Sequence, residues 1–365
     1  MRLRRAAVLL VSLATLSFRP GAAQDLYIWV ASEAVDRIAL LHFGPEGLRL
    51  LRQVEIGVLP TDPDGPHGLA LSPDGRTLFV STGHGAPFGY LWRLDPATLR
   101  VRDRVMLGLF PATLTASPDG RLVFVANFNL HGERVPSSVS VVYARGDTLL
   151  EVARLPTCTM PHGSRLAVTT GRHYSVCMHD DRLVEIDATR LRVTRTLPLG
   201  PGGHPDHGAG PAAPGAACAP TWAQPSPDGR WVYVACNGSQ EILEVDAPAW
   251  AVRRRWPAGP GVYNLAVTPD GRWIVATNKR GQSVSLVEAA TGREVARLPT
   301  RRRVPHGVVI SPDGRYAVVS VEGVGSEPGT VEVLDLRQRR TVATADVGPM
   351  AGGIDLRPGP LPGAP

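Results

Sequence analysis

One five-residue phrase recurs along the chain and limits the folds open to it: Ser72-Pro-Asp-Gly-Arg76, Ser117-Pro-Asp-Gly-Arg121, Ser226-Pro-Asp-Gly-Arg230, Thr268-Pro-Asp-Gly-Arg272 and Ser311-Pro-Asp-Gly-Arg315. Its prolines stand at 73, 118, 227, 269 and 312, and the gap of 109 residues in the middle is twice the others. A degenerate copy, Val168-Thr169-Thr170-Gly171-Arg172, falls inside that gap, and a partial one, Ile354-Asp-Leu-Arg-Pro358, follows 46 residues after Pro312. Seven copies result, and a fixed period of this length is the mark of a repeat architecture. The phrase itself is a turn: Pro presets φ at the first central position, Asp suits the second, and Gly takes the left-handed position that closes a tight hairpin.

Each copy runs into β-prone segments such as Thr77-Leu-Phe-Val-Ser81 and Trp231-Val-Tyr-Val-Ala235. A third segment ends near an Asp, as in Leu91-Trp-Arg-Leu-Asp95 and Val331-Glu-Val-Leu-Asp335, and a fourth precedes a turn. Four strands per repeat of ~45 residues is propeller spacing, so the expected fold is all-β: a seven-bladed β-propeller of four-stranded antiparallel blades. The last copy supplies one strand before Pro365, which leaves Leu26-Tyr-Ile-Trp-Val30, Arg37-Ile-Ala-Leu-Leu41 and the segment from Leu48 to Val54 to complete its blade. Closing that blade with strands from both termini pairs edges that would otherwise be exposed. One propeller domain is expected over 25–358, with a tail at 359–365.

The N-terminal 24 residues read differently. Arg2, Arg4 and Arg5 precede an apolar run from Ala6 to Leu16, then Arg19-Pro20 and small residues up to Gln24. That order is a secretory signal peptide, cleaved near Gln24, and it places the mature chain in the periplasm or outside the cell. The run is too short to span a bilayer. Removing its four arginines lowers the formal charge from +6 to +2, so charge indicates no nucleic-acid partner. Lys279 is the only lysine, which we read as a bias toward Arg.

The phrase Ser-Pro-Asp-Gly-Arg followed by Val-Tyr-Val-Ala-Cys-Asn237 or Val-Phe-Val-Ala-Asn127 resembles the YVTN-type seven-bladed propeller repeats of exported bacterial proteins. The resemblance covers essentially the whole mature chain. It implies a fold and leaves function open, because such propellers include binding proteins, lactonase-like hydrolases, lyases and copper oxidoreductases.

Phase counting assigns residues to the two rims. The Pro-Asp-Gly turns lie on one rim; the loop leading into each innermost strand and the loop joining second and third strands lie on the other. Seven residues before each turn Asp, at the channel mouth, stand His67, Ala112, Thr221, Tyr263 and His306, and the degenerate copy puts His162 there. Three of these share one tripeptide, Pro66-His67-Gly68, Pro161-His162-Gly163 and Pro305-His306-Gly307. Pro stiffens the approach, His points at the axis, and Gly lets crowded backbones come close. Second-to-third-strand loops add His84, His131 and His179, and the long segment from Leu199 to Pro220 adds His204 and His207. Eight of ten histidines thus map to one rim, leaving His42 and His173 elsewhere.

Neutral imidazoles converging on one opening are what a Cu, Zn, Fe or Ni site requires. His67, His162, His306 and His179 are the expected metal ligands, copper being favoured, with His84, His131, His204, His207, Tyr263 and Glu322 as further rim candidates. The same imidazoles would also serve a substrate or anion, or simply bond neighbouring loop carbonyls. Asp180, Asp181 and Glu33 are carboxylates placed to act as base or to hold a histidine. Trp222 and Asn264 sit beside the mouth positions, where an aromatic either stacks on a ligand or plugs the channel.

Four cysteines in an exported chain are expected to oxidise. Cys158 and Cys218 lie in loops leading into two blades, and Cys177 and Cys236 end the second strands of those blades, 19 and 18 residues later. Four cysteines allow three connectivities, cross-blade pairing included, and the parallel placement suggests Cys158–Cys177 and Cys218–Cys236. The rival use is copper ligation by Cys177-Met178-His179. Three functions follow as expectations: a copper-dependent oxidoreductase, a lactonase- or lyase-like enzyme, and a non-enzymatic scaffold in the cell envelope. The partner at the mouth would be a small molecule or an envelope protein, and the closed ring is expected to be a monomer.

Overall fold

The recurring phrase closes its hairpins through a small hydrogen-bond knot. Ser72 Oγ donates to Asp74 Oδ1 at 2.6 Å and accepts from the backbone of Thr77 at 3.0 Å, while Asp74 Oδ1 accepts from the backbone of Arg76. The same knot forms at Ser117, Ser226, Thr268 and Ser311. Each turn glycine, from Gly75 at φ 68° to Gly314 at φ 68°, occupies the left-handed region that only glycine enters without strain. The degenerate copy keeps this one requirement, with Gly171 at φ 63°.

The computed structural model describes residues 25–58, 61–84, 88–200 and 217–361. The expected signal peptide and the pair His204 and His207 lie outside the described residues. Among the described residues twenty-eight strands form seven four-stranded antiparallel sheets. The innermost strands of blades 1 to 7 are Pro66–Leu71, Pro111–Ala116, Pro161–Ala167, Pro220–Pro225, Val262–Val267, Pro305–Ile310 and Ala351–Pro358. Blade 7 pairs Ala351–Pro358 with Leu26–Ser32, which pairs in turn with Arg37–Gly44 and Gly47–Glu55, so both ends of the chain close the ring as expected. Among the described residues no helix is long and apolar enough to cross a membrane.

Apolar residues of the three inner strands fill the space between neighbouring blades. Tyr174, Val176 and Leu183 of blade 3 meet Ala223, Val232 and Leu243 of blade 4, and every other junction has its own such core. Outermost strands face solvent.

Polar clasps lock the junctions at the channel. Ser81 Oγ donates to the Ala112 carbonyl, Thr113 to His162, His162 Nδ1 to Thr221, Thr221 to Tyr263, Thr277 to His306, and Ser320 to Gly352. The acceptor is always the mouth residue of the next blade. Pro-His-Gly explains itself here: a Cβ on Gly68 would stand 2.1 Å from the Ala112 carbonyl oxygen, and one on Gly163 2.2 Å from that of Thr221.

Both expected disulfides are present, Cys158–Cys177 and Cys218–Cys236. Cys177 is therefore no thiolate, which removes the Cys177-Met178-His179 copper set; Met178 packs instead with Phe110, Phe128 and Met160. Each bridge closes a loop of 18 or 19 residues, for which chain-entropy reasoning gives about 3 kcal/mol. Replacing Cys218 and Cys236 together by Ser should lower unfolding free energy by about 2–4 kcal/mol in a denaturant titration. A reductant should lower the parent further than this, because it opens Cys158–Cys177 as well, and should lower the variant by the worth of that remaining bridge.

Candidate functional site

Strand register brings two rings of side chains to the mouth. The first holds His67, Ala112, His162, Thr221, Tyr263, His306 and Gly352, one from the start of each innermost strand. The second holds the residue just past each second strand: Gly83, Phe128, Met178, Asn237, Lys279, Glu322 and Glu33. Pairings such as Pro66↔Thr82, Val262↔Asn278 and Ser32↔Ala351 set the two rings beside each other in every blade.

Within the first ring four side chains form a closed circuit. Ring centroids lie 5.8 Å apart for His67 and His162, 5.7 Å for His162 and Tyr263, 4.8 Å for Tyr263 and His306, and 5.5 Å for His306 and His67. The three Pro-His-Gly histidines, far apart in sequence, thus meet at one opening. All four side chains are buried. His179 is not among them: it stands a quarter exposed in the blade 3 loop, its Nδ1 3.4 Å from Asp180 Oδ1.

The nitrogen partners differentiate the imidazoles. His162 Nδ1 donates to the Thr221 carbonyl at 2.9 Å, leaving Nε2 to accept from Tyr263 Oη at 3.3 Å. Both nitrogens of His162 are engaged. Burial, with His67 beside it, pushes His162 down to about 3, so it is neutral at ordinary pH. His306 is likewise held well below its ordinary value, by burial first and then by the charge of Lys279. Its Nε2 stands 3.8 Å from Glu322 Oε1, and its buried Nδ1 has no hydrogen-bond partner among the described residues.

His67 differs. Its Nδ1 lies 3.0 Å from Glu33 Oε2, while its buried Nε2 has no partner among the described residues. Glu33 begins a short 3₁₀ turn, Glu33–Val35, pinned by the bond from its backbone N–H to the Met350 carbonyl. Burial alone would raise its carboxyl, but His67 and His84 outweigh burial and hold it well below the usual carboxylate range. An ionised carboxylate only accepts, so His67 donates to it from Nδ1, and Nε2 is the nitrogen left without a partner among the described residues. The other Glu33 oxygen accepts from His84 Nε2, and His84 Nδ1 lies 2.9 Å from His131 Nε2. Phe110 packs edge-on against all three of these histidines.

On the far side Lys279 donates to Glu322 Oε1 at 2.7 Å, its ammonium 3.9 Å from the centre of the Tyr263 ring. Below the circuit lies a cavity of about 20 Å³, room for about one water, lined by His67, His306, Trp222, Asn264 and Arg165. Trp222, which lines this cavity, has the Arg165 guanidinium 4.2 Å from its ring centre. Among the described residues no group of three or more His, Cys, Asp or Glu side chains is placed to hold a metal ion. The groups gathered at the mouth are a carboxylate-backed imidazole with an unpartnered nitrogen, a phenol and an ammonium.

No protein-family model matches the chain, and no curated protein matches it in sequence. Its resemblance to YVTN-type propellers therefore rests on the turn phrase. Solved structures match over nearly their whole lengths. The periplasmic gluconolactonase of Pseudomonas aeruginosa aligns with a TM-score of 0.69 and 21% identity, covering 92% of this chain and 100% of that one. A candidate 6-phosphogluconolactonase from Bacteroides fragilis gives 0.70 and 15%, covering 95% and 100%. Hydrazine synthase of Kuenenia stuttgartiensis gives 0.64 and 20%, covering 85% and 99%. At such identities the likeness is one of fold.

Proposed function

We propose that the channel mouth is the active site of an exported hydrolase that opens small cyclic esters, with His67 as general base. One observation carries this reading: His67, which lines a cavity of water size, has its Nδ1–H held by the buried Glu33 carboxylate and its Nε2 without a partner among the described residues. Glu33 fixes the tautomer and stabilises the imidazolium formed when Nε2 takes a proton from the attacking water. Two of the structural neighbours are lactonases by name, and both disulfides suit an oxidising compartment. The substrate is a small molecule that reaches the mouth from the rim bearing the second-to-third-strand loops.

A second reading is favoured by the convergence of three imidazoles, two with one nitrogen tied to an oxygen, as metal-bound histidines usually are. On it a transition metal, copper first, would bind His67, His162 and His306. Its cost is that His162 must give up Tyr263.

Lactone hydrolysis followed by pH-stat, with and without a chelator, separates the readings when run beside equilibrium dialysis against copper. Turnover that survives the chelator, with no stoichiometric copper, is expected. One copper per chain, lost in His306→Ala, with no lactone turnover would replace the hydrolase by the metal site. Neither activity would leave an envelope scaffold.

A further inference from the structure

The circuit His67–His162–Tyr263–His306 sets Tyr263 at the corner opposite His67, each flanked by the same two histidines. A cyclic ester lying across the mouth would have its carbonyl carbon near one corner and its ring oxygen toward the other. Ring opening expels an aliphatic alkoxide, a poor leaving group that needs a proton as the C–O bond breaks.

We propose that Tyr263 is that proton donor, with Lys279 and His162 as its positioning residues; this rests on the hydrolytic reading above. Because His162 Nδ1 is committed to the Thr221 carbonyl, its Nε2 accepts the Tyr263 O–H and holds the hydroxyl at the mouth until that O–H turns to the ring oxygen of the substrate. Lys279, over the Tyr263 ring and fixed by Glu322, supplies a positive charge beside the phenolate that forms when the proton leaves. Burial also keeps the phenol protonated, its pKa being raised against the opposing charge of Lys279.

The step balances. His67 Nε2 takes a proton from water as the water oxygen bonds to the carbonyl carbon. The tetrahedral intermediate collapses, the ring C–O bond breaks, its electron pair stays on the ring oxygen, and that oxygen takes the Tyr263 proton. Solvent restores the proton to Tyr263 and removes the one on His67, giving a hydroxy acid from lactone plus water.

Leaving-group dependence tests this on the mature protein. The probes are δ-valerolactone, which expels an alkoxide, and dihydrocoumarin, which expels a phenoxide that needs little proton help. Tyr263→Phe should lose about 10²-fold or more in kcat on δ-valerolactone and only a few-fold on dihydrocoumarin. His67→Ala should lose heavily on both. Lys279→Met, which leaves the tyrosine in place, should show the Tyr263→Phe pattern in weaker form, with Lys279→Arg restoring much of the loss. Equal losses of Tyr263→Phe on the two probes, or none, would overturn the assignment while leaving His67 as base. If Tyr263→Phe does not fold, an undiminished Lys279→Met overturns it. A parent that turns over neither probe overturns the hydrolytic reading and this proposal together.

Discussion

His67→Ala is expected to lower kcat for lactone hydrolysis by about 10²–10⁴-fold, the usual worth of a positioned general base, with the fold kept and the melting temperature lowered. The imidazole is buried against Phe110, His162 and His306 and is one of two partners of the buried Glu33 carboxylate, so its removal also costs stability, and activity is compared on protein shown to be folded. Glu33→Gln should fall in the same direction. A glutamine has one acceptor oxygen and one NH₂, whereas Glu33 accepts from two imidazoles at once, His67 and His84. One histidine must then face an N–H donor, reverse its tautomer and, if it is His67, present an N–H to the substrate in place of a lone pair. Steady-state kinetics with circular dichroism as the folding control check both variants. Parent-like kcat in His67→Ala would end the general-base reading.

The sequence exposed the ring of blades and the three histidines for the same reason: both depend on phase within a repeat. The Gly of each turn needs a positive φ and the Ser or Thr needs the Asp two residues on, so the phrase stayed intact in five blades and could be counted from. Counting back seven residues reached His67, Tyr263 and His306, and the disulfides followed because Cys177 and Cys236 pair with the prolines that start their blades. The same counting does not reach Glu33, which the sequence marks only as one of several rim carboxylates, or Lys279, which it marks only by composition. They stand one residue beyond the second strand, a position next to the mouth in every blade, and blade 7 has no Pro-Asp-Gly phrase to mark it. Lys279 carried a signal all the same, as the only lysine in the chain. His179 shows the limit of assigning a rim without a neighbour. It sits in blade 3 where His84 sits in blade 1, but the preceding blade offers His84 a carboxylate, Glu33, and offers His179 only Phe128.

Acid should unfold the protein well above the pH at which its carboxylates alone would require it. His162 and His173 are both pushed down to about 3 by burial, and His306 is lowered as well. A histidine in the unfolded chain titrates near 6.5. Between those values the unfolded state binds protons that the native state refuses, so stability is full above about pH 6.5 and drains as pH falls toward 3. Each of the first two groups accounts for a loss on the order of 4 kcal/mol by pH 3, a large share of the stability of any domain. Asp355 and Glu332, both raised by burial, work the other way and offset part of this at the acid end. His173 isolates the effect from catalysis. It lies fully buried away from the mouth, stacked on Phe124 at 4.9 Å, and neither ring nitrogen has a hydrogen-bond partner among the described residues. His173→Phe replaces a ring by a ring and removes one titrating site. Denaturant titrations between pH 4 and 6 should show the dependence of unfolding free energy on pH shrinking by about 1.4 kcal/mol per unit, with activity at neutral pH kept. An unchanged slope would mean that His173 takes up its proton in the folded protein, and that the space around it is wetter than its burial implies.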